Sequence, residues 1–337
     1  MNSFGRLFRV ELFGESHGPA VGVLIDGCPP GLPLSAEDFE ADMARRRAGA
    51  AGTTPRREAD QVSILSGIHG GFSTGSPICL SIPNRDTRSA DYEQFRAVPR
   101  PGHADFTSMK KYSGFSDPRG SGHFSGRVTA GLVAAGVIAK KMLPFARFRT
   151  EVRSSREGQS LNAIVAEAVA RKDSIGAVVE VVVQGLPVGL GEPFFDACES
   201  VLAHILFAVP AVRGLEFGDG FAAAGMFGSE HNDPIVDASG KTSKNGAGGI
   251  NGGISNGNDL LLRVAVKPAS SIARVQQSYD FSKNTMTELY IEGRHDACIA
   301  LRSAVVIEAA IAIGLTDLYL ANRGLYARDT ETPWRNA

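Results

Sequence analysis

The chain reads as an α+β protein, in which short strands and amphipathic helices share one large core. Three observations carry this reading. First, 39 glycines and 17 prolines cut 337 residues into many short elements. Second, runs such as AVGVLIDG and GAVVEVVVQGLP are rich in β-branched residues and bounded by Gly or Pro, as strands are. Third, stretches with apolar residues at helical spacing lie between them, without the strict β-α-β alternation of a doubly wound fold.

In chain order, LFGESHGPAVGVLIDG (12–27) comes first and holds AVGVLIDG, a strand. Its Glu15, Ser16 and His17 stand side by side between glycines. Neighbouring side chains of an extended segment point to opposite faces, so Ser16 and His17 cannot form a nucleophile–base pair with each other. What remains is a glycine-hinged turn that presents one imidazole, and a lone histidine is more often structural than catalytic. SAEDFEADMARRR (35–47) is a helix: Ser35-x-x-Asp38 is a capping pattern, and early acids with late arginines complement the helix dipole. ICLSIP (78–83) is a strand, and helices are expected near 127–143 and 160–172. GAVVEVVVQGLP (176–187) is a strand, a helix covers about 195–208, and DLLLRVAVKP (259–268) is a strand. The last element is a helix near 302–320; its stretch AVVIEAAIAIGLTDLYL carries Glu308 and Asp317 and is short for a membrane span, so a buried helix is expected.

A coarse duplication is visible. GSGHFSGRVTAGLVAAGVIAKKML and EGRHDACIALRSAVVIEAAIAIG each set a Gly/Arg loop directly before a long apolar helix. The reading is one domain over 1–337 with duplicated halves, approximately 1–150 and 151–325, and a flexible tail at 326–337.

Composition narrows the function. With 43% hydrophobic residues and a net charge of −1, the chain can bury a large core and has no general pull toward nucleic acid or a membrane surface. The first 150 residues carry a surplus of about five positive charges and the rest a deficit of about six, so an anionic ligand belongs among the early arginines. Cys28, Cys79, Cys198 and Cys298 are scattered and form no C-x-x-C pair, which fits a reducing, cytoplasmic protein without disulfides or a thiolate zinc site. The N-terminus lacks a signal-peptide pattern.

Several stretches have chemical potential, each with a plainer alternative. RRRAGAAGTTPRRE holds Arg45, Arg46, Arg47, Arg56 and Arg57 around a flexible linker: a solvated helix end, or an anion clamp whose guanidinium forks match carboxylate and phosphate. RPGHADF offers Arg100, His103 and Asp105; the His-x-Asp spacing alone is weak support for a metal site. RGSGHFSGR opens a helix and its backbone N–H groups suit a phosphate, although many Gly/Ser loops merely turn. NGAGGINGGISNG reads equally as a hairpin or as backbone held close to something flat. KPASSI supplies a cation and two hydroxyls, and Arg294, His295 and Asp296 cluster at the mouth of a buried helix, where charges are costly unless paired or functional.

Together these pieces resemble chorismate synthase, in order and over nearly the whole chain. GESHGPAVGVLIDGCP, GHFSGRVTAGLVAAGVI and RHDACIALRSAVVIEAA are similar to the N-terminal, central and C-terminal signatures of that family. RRRAG, RPGHADFT, AGGINGGISNG and KPASSI follow its pattern too. The resemblance implies an α+β sandwich, helices packed between two antiparallel sheets, assembled as a homotetramer. It also implies a lyase that converts 5-enolpyruvylshikimate 3-phosphate to chorismate and phosphate, the last shikimate-pathway step toward aromatic amino acids. Reduced FMN is required; some relatives regenerate it with NADPH, whereas most bacterial-type chains of this length depend on an external flavin reductase.

Residue by residue, the resemblance makes His17 the acid for the departing phosphate, sets His103 near flavin N1, and has Asp296 assist proton removal at flavin N5. Ser16, Arg46, Arg47, Arg100, Arg127 and Arg294 would meet the substrate. FMN would lie against His123, Phe124, Ser125, Ala211, Gly252, the segment Lys267, Pro268, Ala269, Ser270 and Ser271, and Arg294. The chain departs from the family pattern where SGHFSGRVT replaces G-G-R-S-S-A-R-E-T, so that His123 and Phe124 stand for an arginine and a serine. The arginine loop is one residue shorter, with Arg56 as a substitute for its missing arginine; GRHDA replaces GRHDP, and Pro210 replaces asparagine. These departures keep two rivals in view: a flavin- or anion-binding relative without catalysis, and a flavin oxidoreductase that consumes NADPH.

Overall fold

Strands with one buried face set the architecture. Ile78–Pro83 alternates buried and half-buried residues along its length, and Leu260–Val266 does nearly the same. Each nucleates an antiparallel sheet. In the first, Ser3–Phe4, Arg9–Gly14, Ala20–Asp26, Ile78–Pro83 and Ser63–Ser66 lie side by side in that order. In the second the order is Val212–Phe217, Leu260–Val266, Ala177–Gln184 and Arg147–Arg153. The computed structural model describes residues 2–47, 49, 52–53, 58–86, 89–291 and 295–325.

Between the sheets run two apolar helices. Thr129–Met142 is buried around nearly its whole circumference, which only a central layer allows. It packs on strands Ala20–Asp26 and Ile78–Pro83 on one side and on helix Ala300–Leu325 on the other; that helix in turn meets strands Arg147–Arg153 and Ala177–Gln184. Gly136 permits this approach, since a Cβ there would sit 2.4 Å from the Cβ of Ala309. The long C-terminal helix, apolar enough to span a bilayer, is therefore core. The sandwich expected from the resemblance is present, and all the expected strands and helices appear within a few residues of their expected limits.

The opening motif is a hairpin rather than one extended run. The chain ascends Arg9–Gly14, reverses through 15–19 and returns on Ala20–Asp26, with Phe13 opposite Gly22. Ser16 and His17 thus occupy the reversal. NGAGGINGGISNG also resolves into a hairpin, Ile250–Asn251 against Ile254–Ser255, and Gly253 O accepts the N–H of Cys198 at 2.8 Å. Gly248 and Gly249 serve close packing of backbone on backbone, against Gly218 and Asp259.

Two buried carboxylates tie the layers together. Asp317 accepts the backbone N–H groups of Arg6, Leu7 and Phe8 at 2.7–3.1 Å, which pins the first residues of the chain to the last helix. Glu308 takes both guanidinium nitrogens of Arg45 at 2.8 and 2.7 Å, the Lys140 ammonium, and the Thr150 hydroxyl at 2.6 Å. Helix Glu40–Arg46, which continues a 3-10 turn Ala36–Phe39 capped by Ser35 N–H donating to Asp38 at 2.8 Å, is thereby fixed against both central helices.

Candidate active site

A cavity of about 830 Å³ opens where the hairpin turn, the loops before both central helices and the segment after Val266 converge. Residues far apart in sequence line it: Ser16, Arg46, Arg47, Arg100, His103, Arg127, Lys267 and Asp296 among them. Leu12, Leu132, Ile205, Val209, Pro210 and Val306 give it an apolar wall. Among the described residues, six arginine or lysine side chains (Arg46, Arg47, Arg100, Arg127, Lys267, Arg302) line it against three carboxylates, Glu58, Asp60 and Asp296. An excess of cations on a partly apolar wall selects an anion that also has a nonpolar body.

The first charged group centres on Asp60. Its carboxylate bridges two buried arginines: Arg46 Nη1 donates to Oδ2 at 3.0 Å, and Arg127 Nη1 donates to Oδ1. Burial would raise the Asp60 pKa, but the two guanidinium groups reverse that and hold it below the usual carboxylate range. Arg127 also donates from Nε to Asn84 Oδ1 at 2.8 Å and from Nη2 to Pro83 O at 3.1 Å. Arg46 keeps a buried donor open: its Nε has no partner. Burial, and then the neighbouring Arg302 and Arg127 charges against the pull of Asp60, depress the Arg46 pKa to about 10. A ligand oxygen at that Nε would satisfy a donor that the fold leaves open.

The second group centres on Asp105. It accepts Arg100 Nε and Nη2, both at 2.8 Å, and lies 2.7 Å from His103 Nδ1. Burial pushes this carboxyl up, but the hydrogen bonds from Arg100 and His103 more than compensate and hold it far below the usual range. An ionised Asp105 makes Nδ1 the protonated nitrogen of His103 and leaves Nε2 toward Ser121 Oγ, 3.3 Å away. Arg100 also reaches Ser271 Oγ at 3.1 Å and lies 4.4 Å from the centre of the Phe95 ring.

Other groups complete the wall. Arg302 joins Asp296 at 3.2 Å and the backbone carbonyl of Arg46 at 3.1 Å. Lys267 Nζ meets Gly102 O at 2.7 Å and Ser270 Oγ at 3.2 Å, both neutral partners. His123 is held by Gly14 O at 2.9 Å and Asn2 Oδ1 at 3.1 Å. Burial lowers the His295 pKa.

The sequence-derived residues divide as follows. Ser16, Arg46, Arg47, Arg100, His103, His123, Phe124, Ser125, Arg127, Ala211, Asp296 and the whole Lys267–Ser271 segment line the cavity. His17 stands beside it: its ring meets the Tyr92 ring edge-on at 5.2 Å, and a Cβ on Gly120 would fall 2.4 Å from its Cδ2. Only glycine fits there. Gly252 lies in the turn of the 250–255 hairpin and does not line the cavity. Arg294, Arg56, Arg57 and the 326–337 tail lie outside the described residues. Sequence reasoning passed over Asp60, Ser121, Arg302 and Tyr92. Arg302 lies six residues after Asp296 on the entry to the helix, so proximity was an available signal there, whereas Asp60, three residues past Arg57, reads as an ordinary loop acid.

Known proteins give the same picture from another side. A family model for chorismate synthase matches residues 8–320. The chorismate synthase of Chitinophaga pinensis is 56% identical over 321 residues, 95% of this chain and 97% of that protein. The one from Dehalococcoides mccartyi is 45% identical over 351 residues, covering 95% and 96%. A solved structure described as a crystal structure of chorismate synthase superimposes with a TM-score of 0.70 at 26% identity, over 94% of this chain and 93% of the other. Agreement in sequence and fold along almost the entire length leaves one conclusion: this chain belongs to the chorismate synthase family.

Proposed function

We propose that the 830 Å³ cavity is where the chain converts 5-enolpyruvylshikimate 3-phosphate to chorismate and phosphate, with reduced FMN bound beside the substrate. One observation carries this: the basic residues, His103 and Asp296 reach a single cavity from segments as distant as 46 and 302, in a chain that matches the family over 8–320. The substrate bears two carboxylates and a phosphate. Burying that charge without matched cations would be prohibitive, and the surplus of basic side chains removes the penalty.

The residues present fit a flavin. Lys267, with neutral partners only, and the hydroxyls of Ser270 and Ser271 suit the phosphate, while the apolar wall suits a flat ring. When bound, reduced FMN would supply electron density that helps expel an allylic phosphate, chemistry that no side chain offers. Within the protein, Arg46 and Arg47 bind substrate anions, the former through its open Nε. Arg127 braces Arg46 by way of Asp60. Arg100, held by Asp105 and Ser271, presents its remaining donor surface to the cavity. His103, its Nδ1–H held by Asp105, exchanges a proton at Nε2. His17 reaches the departing phosphate from the turn beside the cavity, and Asp296 takes up a proton at its carboxylate, with Arg302 orienting it. His123 and Phe124, in place of the family's arginine and serine, leave Lys267 as the main cation for the cofactor phosphate.

Outside the site, Phe194 and Phe195 are 86% and 93% exposed, and Phe221 and Phe227 are nearly as open. Such aromatics on a soluble fold mark a self-association surface, which supports a homotetramer. The enzyme works in the cytoplasm with flavin reduced by an external reductase or by NADPH. The test is an anaerobic assay with photoreduced FMN and the enolpyruvyl substrate, following phosphate and chorismate in parallel. Equal release of both supports the reading; protein that binds flavin yet releases neither overturns it, and NADPH consumption without chorismate identifies an oxidoreductase instead.

A further inference from the structure

Asn84 is the first residue past strand Ile78–Pro83, and its backbone N–H donates to Pro19 O at 3.1 Å, which carries the pairing with Ala20–Asp26 one step further. Its side chain then folds back on the reversal at 15–19. The Nδ2 group donates to Glu15 O at 2.9 Å and to Gly18 O at 2.8 Å, while Oδ1 accepts from Arg127 Nε at 2.8 Å. A carboxamide offers two N–H donors and one carbonyl, and here both donors and the carbonyl are matched. The flipped amide would set oxygen against two carbonyl oxygens and N–H against N–H, so the contacts themselves fix its orientation.

The segment that the amide clasps is short and bounded by glycines, Gly14 at φ 93° and Gly18. Its own closing bond is a single one, Gly18 N–H to Glu15 O at 3.1 Å. Glu15 and Gly18 flank Ser16 and His17, so the two Asn84 bonds hold the chain on either side of the imidazole. The loop before the first central helix supplies a second grip: Gly122 O accepts the Ser16 N–H at 3.0 Å, and Gly120 closes on the His17 ring. The far end of Asn84 belongs to the Asp60 cluster, because the Arg127 it holds is the arginine that braces Arg46. Asn84 itself does not line the cavity, so whatever it contributes passes through the groups it holds.

We propose that Asn84 is a positioning residue for the lyase reaction: it locks the turn to the anion-binding arginines, so that the His17 imidazole meets the departing phosphate at the right distance. The proposal rests on the cavity being the site of that reaction and on His17 acting there. Proton transfer from a positioned acid depends steeply on geometry, and a displacement of about 1 Å costs about 100-fold in rate. A glycine-bounded turn without its clasp has that freedom.

Two variants separate the two ends of the side chain. Asn84→Ala removes both, strips Arg127 Nε of its acceptor, and is expected to melt lower than the parent. Asn84→Asp keeps an oxygen for Arg127 and loses the donors to Glu15 O and Gly18 O. Each is expected to lower kcat about 10- to 100-fold, with the substrate KM and FMN affinity of Asn84→Asp within about threefold of the parent. A double-mutant cycle supplies the readout that a merely structural role would not give. In a His17→Ala background, Asn84→Asp should lower kcat by less than about twofold, because the group it positions is already gone. The proposal is overturned if Asn84→Asp keeps more than half the parent kcat, or if its loss falls on KM instead, which would make Asn84 a brace for Arg127 alone. A larger further loss on top of His17→Ala overturns it too, as does a His17→Ala enzyme with parent kcat. A parent enzyme that makes no chorismate defeats the underlying reading and the proposal with it, a failure distinct from those seen only in the variants.

Discussion

Arg45 and Arg46 are consecutive residues of one helix, and each ends on a buried carboxylate, yet the two ion pairs are different devices. Arg45 shares Glu308 with Lys140; Arg46 shares Asp60 with Arg127. Consecutive helical positions diverge by about 100°, so one guanidinium turns to the frame and the next to the cavity. The partners of Glu308 reach solvent, with 42% of the Arg45 side chain and 21% of that of Lys140 exposed. The partners of Asp60 do not, at 4% and 3%. Glu308 also sits mid-helix, whereas Asp60 lies in a loop at φ 50° beside the site. An identical sequence signal, an arginine run, therefore splits into a fastening for the fold and a store of buried positive charge for a ligand.

The sharpest way to break this comparison is to remove each carboxylate. Asp60→Ala leaves two nearly buried guanidinium groups facing each other without their shared counter-ion, and is expected to cost about 3–5 kcal/mol in urea unfolding. Glu308→Ala is expected to cost less, because Asp42 remains within 3.0 Å of Arg45 and 2.6 Å of Lys140 and both cations can turn to solvent. An equal or larger loss at Glu308 would mean that partner burial is not what separates the two clusters.

Acid titration comes next. Burial alone would raise the Glu308 pKa, but Arg45 and Lys140 bring it from 4.5 down to about 2. A depressed folded-state value means that the stabilisation is complete above the unfolded value and is lost as pH falls through the folded one. Between pH 5 and pH 2 the parent should thus lose on the order of 3 kcal/mol through this group. Glu308→Gln, which cannot ionise, should show a shallower slope over the same window, while Asp60 and Asp105 titrate alike in both proteins. Parallel slopes would remove Glu308 from the acid response.

How much of this was legible beforehand follows from what is local. Apolar alternation in Ile78–Pro83 and helical spacing in Thr129–Met142 are properties of short windows, so those elements could be read directly. Motif order placed Arg46, Arg47, His103, Asp296 and Lys267–Ser271, all of which reach the cavity. Asp60 was invisible because an acid after R-R-E reads as solvated loop; its partners lie 14 and 67 residues away and only tertiary packing supplies them. Glu308 was noticed merely as a charge that argued against a membrane span. Ser121 passed as one of several loop residues, since its contact with His103 exists only in the folded chain. His17 was correctly assigned to a turn, but whether a turn points into a cavity or beside it depends on Gly120, more than a hundred residues later.

Within the site, Arg46→Lys keeps the charge and loses the fork. A lysine cannot reach Asp60 and the Gly126 carbonyl while also presenting a donor at the position of Nε. Hydrogen bonds to charged groups are worth about 1.5–3 kcal/mol, so kcat/KM should fall about 10- to 100-fold. Steady-state assays with saturating reduced FMN measure it, and parent-like kinetics would mean that the open Nε does not meet substrate.

The same substitution one residue earlier should do almost nothing. Arg45→Lys surrenders a two-pronged contact, 2.8 and 2.7 Å to Glu308, but that carboxylate keeps Lys140 and the Thr150 hydroxyl at 2.6 Å. Arg45 is also the most exposed member of the cluster, and exposed ion pairs contribute about 0–1 kcal/mol. Unfolding should shift by no more than about 1 kcal/mol, and kcat/KM per folded molecule should match the parent. If Arg45→Lys instead lowered kcat/KM as far as Arg46→Lys, the 100° between the two side chains would not be what divides frame from site, and the helix would have to act on the cavity as a single rigid piece.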